Sequence, residues 1–446
     1  MSHGRPRAFR TAPEVLTEDR VMFRKLTRQV YGEHRGAKPF VPKPLPPLEA
    51  AVAPDGQSRY LWTDAFGVLN FVTEAARCAE AGDEEGREDA LAAAEALVDA
   101  VSRVLGSPRS KHLPMALSAL APLRTRGEGT DAWETRRRER YRGLRIGKRL
   151  ASAASDPGMA LDGMYFHYVD KFVFALSRLG DALGGARTTR GERIVAEAGA
   201  IVRDVHDLFV EREAPRASLG SSDPRDRATD ATRTTNPCVG IRWKLNADGT
   251  PVQGLPPTRL SADAISGAVA WSAASRLARV DGADPRETLK RETDDMRDMA
   301  RRLRPAVSSD PLSWGMQMWA SQWLPAPEEL TERCGPEWRA FAATLRASQR
   351  MPGGDFGAPR RAGRLGELPF RTYGALLGAR VAGSGDLAES AARAARDAAT
   401  AELAGAGAVS SAPPRPDGLT AVNRVMLASA LDPLAFRRLA DEPCIL

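Results

Sequence analysis

The sequence predicts an all-α protein in which six helical hairpins form an (α/α)6 toroid, with an inner and an outer ring of helices. Two observations support this. Apolar helical segments alternate along the chain with charged ones, and no long stretch has the two-residue period of a strand. Because a helix that is apolar on every side is buried, whereas an amphipathic helix keeps one side in water, the alternation indicates an inner ring wrapped by an outer one.

The chain begins with a segment that differs from the rest. A short amphipathic stretch in residues 1–58 is followed by six prolines, at 39, 42, 44, 46, 47 and 54. Proline-rich segments without apolar periodicity are typical of connectors. We therefore expect 1–58 to be an N-terminal arm packed over the body, and 59–446 to be the barrel domain.

The six predicted hairpins follow in order. An apolar helix over about 59–80 precedes a charged, alanine-rich helix over about 83–105 that stops at a Gly-Ser-Pro sequence. The later pairs are 162–180 with 190–213, 262–280 with 285–303, 314–319 with 336–348, 370–381 with 387–403, and 419–431 with a short helix at 433–440. The connections within pairs are short.

The connections between pairs are often long. They cover about 107–160, 214–261, 349–369 and 404–418. Each long connection runs from an outer helix to the next inner helix, so in a toroid they gather at one end. Long loops in compact domains are frequently functional. We therefore expect a site at the end where the inner helices begin.

Composition limits the kinds of partner. The 446 residues are 43% hydrophobic and 27% charged, with a net charge of +7. Basic residues alternate with acidic ones, and the dense run at 136–140 contains its own glutamate, so we interpret it as a solvated surface and expect no nucleic-acid partner.

Metal and membrane sites are not indicated by the sequence. The four cysteines are far apart and lack metal-binding spacing, so we predict no metal, no cofactor and no disulfide framework. The chain has no secretory signal and no membrane span, which favours a cytoplasmic protein without a membrane partner.

Four local motifs accompany the helical alternation. They are Tyr60-Leu61-Trp62-Thr63-Asp64-Ala65-Phe66, Gly143-Leu144-Arg145-Ile146-Gly147-Lys148, Tyr165-Phe166-His167-Tyr168 and Ile241-Arg242-Trp243-Lys244. With the alternation they resemble a set of little-characterised proteins related to the six-hairpin glycosidases, over roughly residues 59–440. In glycosidases and lyases of this barrel class, catalytic carboxylates and sugar-stacking aromatic residues lie at the funnel end. The resemblance implies such a site here.

Asp64 is the first candidate catalytic or substrate-orienting carboxylate. It shares a helical face with Tyr60, Gly67, Val68 and Phe71. A buried ionised carboxylate needs either a hydrogen-bonding partner or a wet pocket. The alternative is that Asp64 caps the helix or pairs with a loop arginine.

Two more acids and one histidine have comparable positions. Asp162 and Asp263 begin the second and third inner helices, where they are either N-caps or part of a carboxylate set for acid and base work with Asp64. His167 lies in the most aromatic inner helix and is either a catalytic acid or base or a core histidine. Asp170 and Lys171 follow it and are interpreted as paired with neighbours.

The candidate substrate-binding residues are cationic or aromatic. Arg145, Lys148, Arg242 and Lys244 lie in the two longest connections, where they bind an anionic group, neutralise the aspartates, or do both. The aromatic candidates are Tyr60, Trp62, Tyr165, Trp243 and Trp314, which either stack on a ligand or belong to the core.

These residues favour a glycosidase-like hydrolase or lyase. Its ligand would contain a sugar, would be a small molecule or an oligosaccharide, and could carry a negative charge. One alternative is a terpenoid cyclase, isomerase or dehydratase with an aromatic pocket. Another is a non-catalytic toroid that binds a ligand or partner.

The DDxxD sequence at Asp294–Asp298 is interpreted as a solvated face, since it falls in a charged outer helix. The sequence leaves the oligomeric state open.

Overall fold

The computed structural model describes residues 17–35, 40–42, 59–106, 144–147, 162–213, 237–247, 249–259, 261–278, 289–347, 368–383, 385–407 and 419–446. Most of the proline-rich connector, most of the long connections and the basic run at 136–140 lie outside these ranges. The described part is mostly helical, with helix packed on helix, so the all-α prediction is confirmed.

The helices occur in the predicted order. Their bounds are α1 Glu18–Tyr31, α2 Leu61–Glu80, α3 Glu84–Val104, α4 Phe166–Ala182, α5 Thr189–Phe209, α6 Ser261–Ala278, α7 Lys290–Arg302, α8 Pro311–Ala320, α9 Pro327–Cys334, α10 Pro336–Ala347, α11 Pro369–Ala382, α12 Gly385–Gly407 and α13 Thr420–Leu431. The short helix α9, between α8 and α10, was not predicted.

Four short strands lie next to the helices. They are β1 Met164–Tyr165, β2 Val210–Arg212, β3 Cys238–Ile241 and β4 Lys244–Leu245. β1 pairs with β4 and β2 with β3, both antiparallel. None exceeds four residues, which is too short to leave a strand period in the sequence. They connect the segment after α5 to the start of α4.

Local sequence explains where several helices begin. The Thr63 hydroxyl accepts from the Tyr60 amide at 3.3 Å before α2, and Asp83 accepts from the Gly86 amide at 2.8 Å at the start of α3. Asp310 caps α8 in the same way, and Pro311 supplies its first residue. Gly82, with φ of 71°, makes the tight turn between α2 and α3.

The apolar helix of each predicted pair packs against its charged partner. α3 lies on α2, α5 on α4, α7 on α6, α10 on α8 and α12 on α11. The apolar helices also contact one another, and their facing side chains share a continuous hydrophobic core. No helix in the described ranges is long and apolar enough to cross a membrane.

The sixth pair differs from its prediction. After α13 only the 3-10 turn Leu434–Phe436 forms, and 437–446 is not helical, so the helix predicted at 433–440 was wrong. The Arg178 guanidinium binds the carbonyl oxygens of Ala435 (3.2 Å) and Arg437 (2.8 Å) and the carboxylate of Glu442. Because Arg178 takes these backbone acceptors, they are not available for a helical ladder.

The N-terminal helix α1 packs against α13 and also contacts α12. Its apolar side chains Met22, Phe23, Leu26 and Val30 are buried in the common core. The predicted arm therefore contributes one full helix to the body. Charge contacts strengthen this packing, because the buried Glu74 carboxylate of α2 pairs with Arg24 at 2.9 Å and with His34 at 3.3 Å.

Candidate functional site

A cavity of about 170 Å³ lies where four helices begin. Trp62, His167 and Leu312 are the second residues of α2, α4 and α8, and Asp263 is the third residue of α6. The cavity is thus at the end where these apolar helices begin. Much of its wall is apolar, formed by Ile265, Leu312, Met316, Ala320, Leu324 and Phe341.

Asp263 is the carboxylate that lines this cavity within the described ranges. Its side chain is partly buried and has no salt-bridge partner among the residues that the structure describes. Burial and, to a smaller extent, the nearby Asp170 carboxylate raise the pKa of Asp263 to about 6 against the opposing effect of Lys171. A carboxyl group with this pKa can donate or accept a proton near neutral pH.

Lys171 reaches the cavity wall from α4 but is held by other side chains. Its Nζ lies 3.2 Å from Oδ1 and 3.1 Å from Oδ2 of the fully buried Asp170, and it also donates to the Ser266 hydroxyl. On another side it lies 4.5 Å from the centre of the Trp319 ring. The expectation that Asp170 and Lys171 pair with neighbours is therefore confirmed.

His167 is an uncharged member of the site. Burial, together with the positive charge of Lys171, lowers its pKa to about 3, so the imidazole is neutral at physiological pH. Its ring stacks on Tyr165 at 5.4 Å and meets Tyr168 edge-on at 4.8 Å. Trp62, which stacks on Phe66, completes this aromatic wall. His167 and Trp62 thus both line the cavity.

Asp64 does not line the cavity. Its carboxylate is fully buried, 3.1 Å from the Arg59 Nε and beside the Tyr31 hydroxyl. Burial raises the pKa of Asp64 to about 6, and Arg59 opposes the rise. The structure therefore supports the alternative in which Asp64 pairs with an arginine, although that arginine is its near neighbour Arg59 and not a distant loop residue.

Asp162 has a structural partner as well. Its Oδ2 lies 2.6 Å from the Arg145 Nη1, and its Oδ1 accepts from the Gly147 amide at 3.0 Å. Arg145 also donates to the Val104 carbonyl at 2.8 Å. Both charged side chains are fully buried away from the cavity. This pair fixes residues 144–147 between the end of α3 and the start of β1.

The remaining substrate-binding candidates lie elsewhere. Tyr165 is buried, with the Trp243 ring at 5.5 Å and the Lys244 Nζ at 5.7 Å from its centre. Arg242 pairs with Glu211 at 3.4 Å, Tyr60 caps α2, and Trp314 is buried in the core. Lys148 lies outside the described residues. Of the substrate-binding candidates that the structure describes, only Trp62 lines the cavity.

Three polar residues of the cavity wall, Ser266, Ser313 and Gln317, were not singled out from the sequence. Ser266 is one helical turn after Asp263, and Gln317 lies in α8. The three-residue spacing of Asp263 and Ser266 is a helical-face signal that the sequence contains. Gln317 gives no such signal, because its role depends on the chain that folds back beside α8.

The DDxxD sequence lies in α7 and is absent from the cavity wall. Asp295 binds His206 at 3.0 Å and also Arg212, while Asp294 pairs with Lys290 and Asp298 with Arg301. These contacts lower the pKa of Asp295 strongly although burial alone would raise it. Among the residues that the structure describes, no group of three or more His, Cys, Asp or Glu side chains could hold a metal ion.

Comparison with known proteins identifies no relative. No family model matches the chain, and no curated protein or solved structure matches it either. The interpretation of the site therefore depends on its own chemistry.

Proposed function

We propose that α2, α4, α6, α8, α11 and α13 form the inner ring of the (α/α)6 toroid and that the cavity is its funnel. The helix contacts support this arrangement: each of these helices touches the next, and α13 touches α2. α1 takes the outer position of the sixth pair, beside α13. The cavity then opens at the end where the inner helices start.

We further propose that the protein is a glycosidase-like enzyme that cleaves a carbon–oxygen bond in a small ligand, with Asp263 as the general acid. The single observation that carries this proposal is the Asp263 carboxyl group, which faces the cavity and has a pKa of about 6. A carboxyl group that holds its proton up to about pH 6 can protonate a leaving oxygen. Trp62 supplies an aromatic surface for the ring of the ligand.

The proton cycle needs one carboxyl group. Protonated Asp263 gives its proton to the leaving oxygen as the carbon–oxygen bond breaks, which leaves an alcohol and a cationic carbon centre. The Asp263 carboxylate then takes a proton from an attacking water, giving hydrolysis, or from the adjacent carbon, giving elimination. Neutral His167 orients the ligand by hydrogen bonding. Hydrolysis and elimination therefore share the same first step, protonation of the leaving oxygen by Asp263.

The apolar wall favours a second candidate, a terpenoid dehydratase or isomerase. Leu312, Met316 and Phe341 offer no hydrogen bonds to a polyhydroxylated ring, whereas they suit a hydrocarbon skeleton. Protonation of an allylic alcohol by Asp263, followed by loss of water, uses the same acid. The two candidates therefore differ in ligand and not in the catalytic group.

The test is turnover on two panels, aryl glycosides and monoterpene alcohols, for the wild type and Asp263→Asn. We expect activity on one panel, falling as the pH rises above about 6, and a loss of roughly 10²–10⁴-fold in the variant. The matched control is Asp298→Asn, on the exposed face of α7, which should keep full activity. An Asp263→Asn protein with wild-type turnover would contradict the role of Asp263. A folded wild type inactive on both panels supports the ligand-binding module instead.

A further inference from the structure

The polar groups of the cavity wall divide into two sets, and the first set is already bound to protein. Lys171 donates to both Asp170 oxygens and to Ser266. Gln317 donates to the Ala306 carbonyl at 2.8 Å and accepts from the Ser308 amide at 2.9 Å. Neither side chain can turn to a ligand without losing a buried hydrogen bond, which costs about 1–3 kcal/mol.

The second set is available to a ligand and carries no fixed positive charge. Asp263 and His167 face the cavity without a side-chain hydrogen bond to any residue within the described ranges. The pKa of His167 is lowered to about 3, so its imidazole is neutral. Below pH 6 Asp263 is neutral as well. The groups left for a ligand are therefore uncharged donors and acceptors.

One amide at the start of each of the four helices is already bonded to protein. A helix N-terminus attracts anions through its unbonded amides. The Leu61 amide donates to the Ile146 carbonyl, Phe166 to Trp243, Ser261 to Arg304, and Ser313 to the Asp310 carboxylate, at 2.9–3.2 Å. Part of the attraction that these helix starts have for anions is therefore already met by protein groups.

Size limits the ligand further. The cavity measures about 170 Å³. An apolar cavity of ~150 Å³ in a protein core holds one benzene molecule. The space therefore fits one six-membered ring with a substituent, and a longer chain of rings would have to extend out through the mouth.

We propose that the cavity binds a single uncharged, hydroxyl-bearing ring, and that the Asp170–Lys171 pair makes it reject anions. This inference rests on the proposed function for the identity of the site and departs from the anionic ligand considered from the sequence. The physical reason is that Lys171 has its counter-ion inside the protein. An anion entering the apolar cavity would lose its hydration without gaining a free positive partner.

The first test is calorimetric titration of the full chain at about pH 5, where Asp263 holds its proton. The probes are benzyl alcohol, benzenesulfonate and benzylamine, which share a ring and differ in charge. We expect benzyl alcohol to bind about tenfold or more tightly than either ion. Benzenesulfonate that binds as tightly as benzyl alcohol would overturn the inference. Ala262→Leu, which fills part of the cavity, should abolish alcohol binding, and unchanged binding would also overturn it.

The second test reverses the selectivity. Asp170→Asn keeps the shape of the side chain and removes the counter-ion of Lys171, so benzenesulfonate affinity should rise by roughly tenfold or more while benzyl alcohol affinity changes little. Ser266→Ala is the control, because it keeps the ion pair and should gain no affinity for the anion. A folded Asp170→Asn protein that still rejects benzenesulfonate would refute the role of the pair. If that variant does not fold, the wild-type probe series decides.

The titrations and the turnover assays test the two proposals separately. A protein that selects benzyl alcohol but turns over no substrate would contradict only the catalytic proposal. An active enzyme that binds benzenesulfonate at the cavity would contradict only the selectivity inference.

Discussion

The Tyr31 ring of α1 lies directly over Gly67 of α2, so that a side chain at position 67 would overlap the Tyr31 hydroxyl. The same hydroxyl donates to the Thr63 carbonyl at 2.9 Å. Tyr31 also packs against Phe71 and lies beside Asp64. Gly67 thus permits the close approach that buries Asp64 and fixes α1 on the body.

Gly67→Ala should therefore destabilise the fold. The added methyl group meets the Tyr31 ring, and overpacking of this kind costs about 1–3 kcal/mol. The measurement is the free energy of unfolding by urea. Gly405→Ala is the matched control, since Gly405 has open space around it in helix α12; alanine there should be neutral or stabilising by about 0.5–1 kcal/mol. Equal stability of the two variants would show that the contact does not constrain position 67.

A second prediction concerns the buried acid that holds α1. Burial alone would raise the pKa of Glu74, but His34, Arg24 and Arg35 together lower it below its usual value. Its stabilising contribution is therefore present above the ordinary glutamate pKa and is lost as the pH falls through the lowered value. Glu74→Gln should cost about 3–5 kcal/mol at neutral pH, because it leaves the buried cations without a carboxylate.

Hydrogen exchange measures this effect locally. The α1 amides of Glu74→Gln should exchange faster, since the helix is no longer fixed to α2. Glu33→Gln is the control, because Glu33 is 67% exposed and pairs with Arg28 at the surface; its removal should cost less than about 1 kcal/mol. Unchanged protection of α1 in the Glu74 variant would mean that apolar contacts alone hold the helix.

A third prediction compares two aspartates that begin neighbouring segments. Asp263 has a pKa raised from 3.8 to about 6, so its folded form holds a proton that the unfolded chain releases. Its contribution to stability is full below the unfolded value and is lost as the pH rises through the folded value. At about pH 8 Asp263→Asn should therefore stabilise the protein, by at most about 3 kcal/mol, and at about pH 4 it should change little.

Asp162→Asn should have the opposite effect. Asp162 is bonded to Arg145 and to the Gly147 amide, and its loss leaves a buried guanidinium without a carboxylate. We expect a loss of about 3–5 kcal/mol at about pH 8. The measurement is the free energy of unfolding of both variants at about pH 4 and about pH 8. If Asp263→Asn destabilised the protein at high pH, the Asp263 carboxylate would be structural and the acid role would lose its basis.

The sequence predicted the helical pairs because their apolar and charged segments differ in composition over many residues. It also named Asp263, His167 and Trp62 as candidates, and these three line the cavity. It ranked Asp64 first, although Asp64 does not line the cavity, because Asp64 and Asp263 occupy similar positions in apolar helices. The difference arises from their partners: Arg59 adjoins Asp64, whereas Asp263 has no salt-bridge partner among the described residues.

Sequence patterns also could not predict the roles of Lys171 and α1. Lys171 faces the cavity, yet it is neutralised by the adjacent Asp170, and only the side-chain directions reveal this. The α1 sequence shows an amphipathic face, but nothing in it specifies that α13 is the partner.

The packing of α1 on α13 has a consequence for how the chain reaches its folded state. Arg396 of α12 pairs with Asp19 of α1 over a sequence separation of 377 residues. Such distant contacts form late, because closing the intervening loop costs entropy before any contact repays it. During synthesis the part of α1 that packs on α12 and α13 therefore stays uncovered until those helices have been made, and exposed apolar surface at that stage favours aggregation.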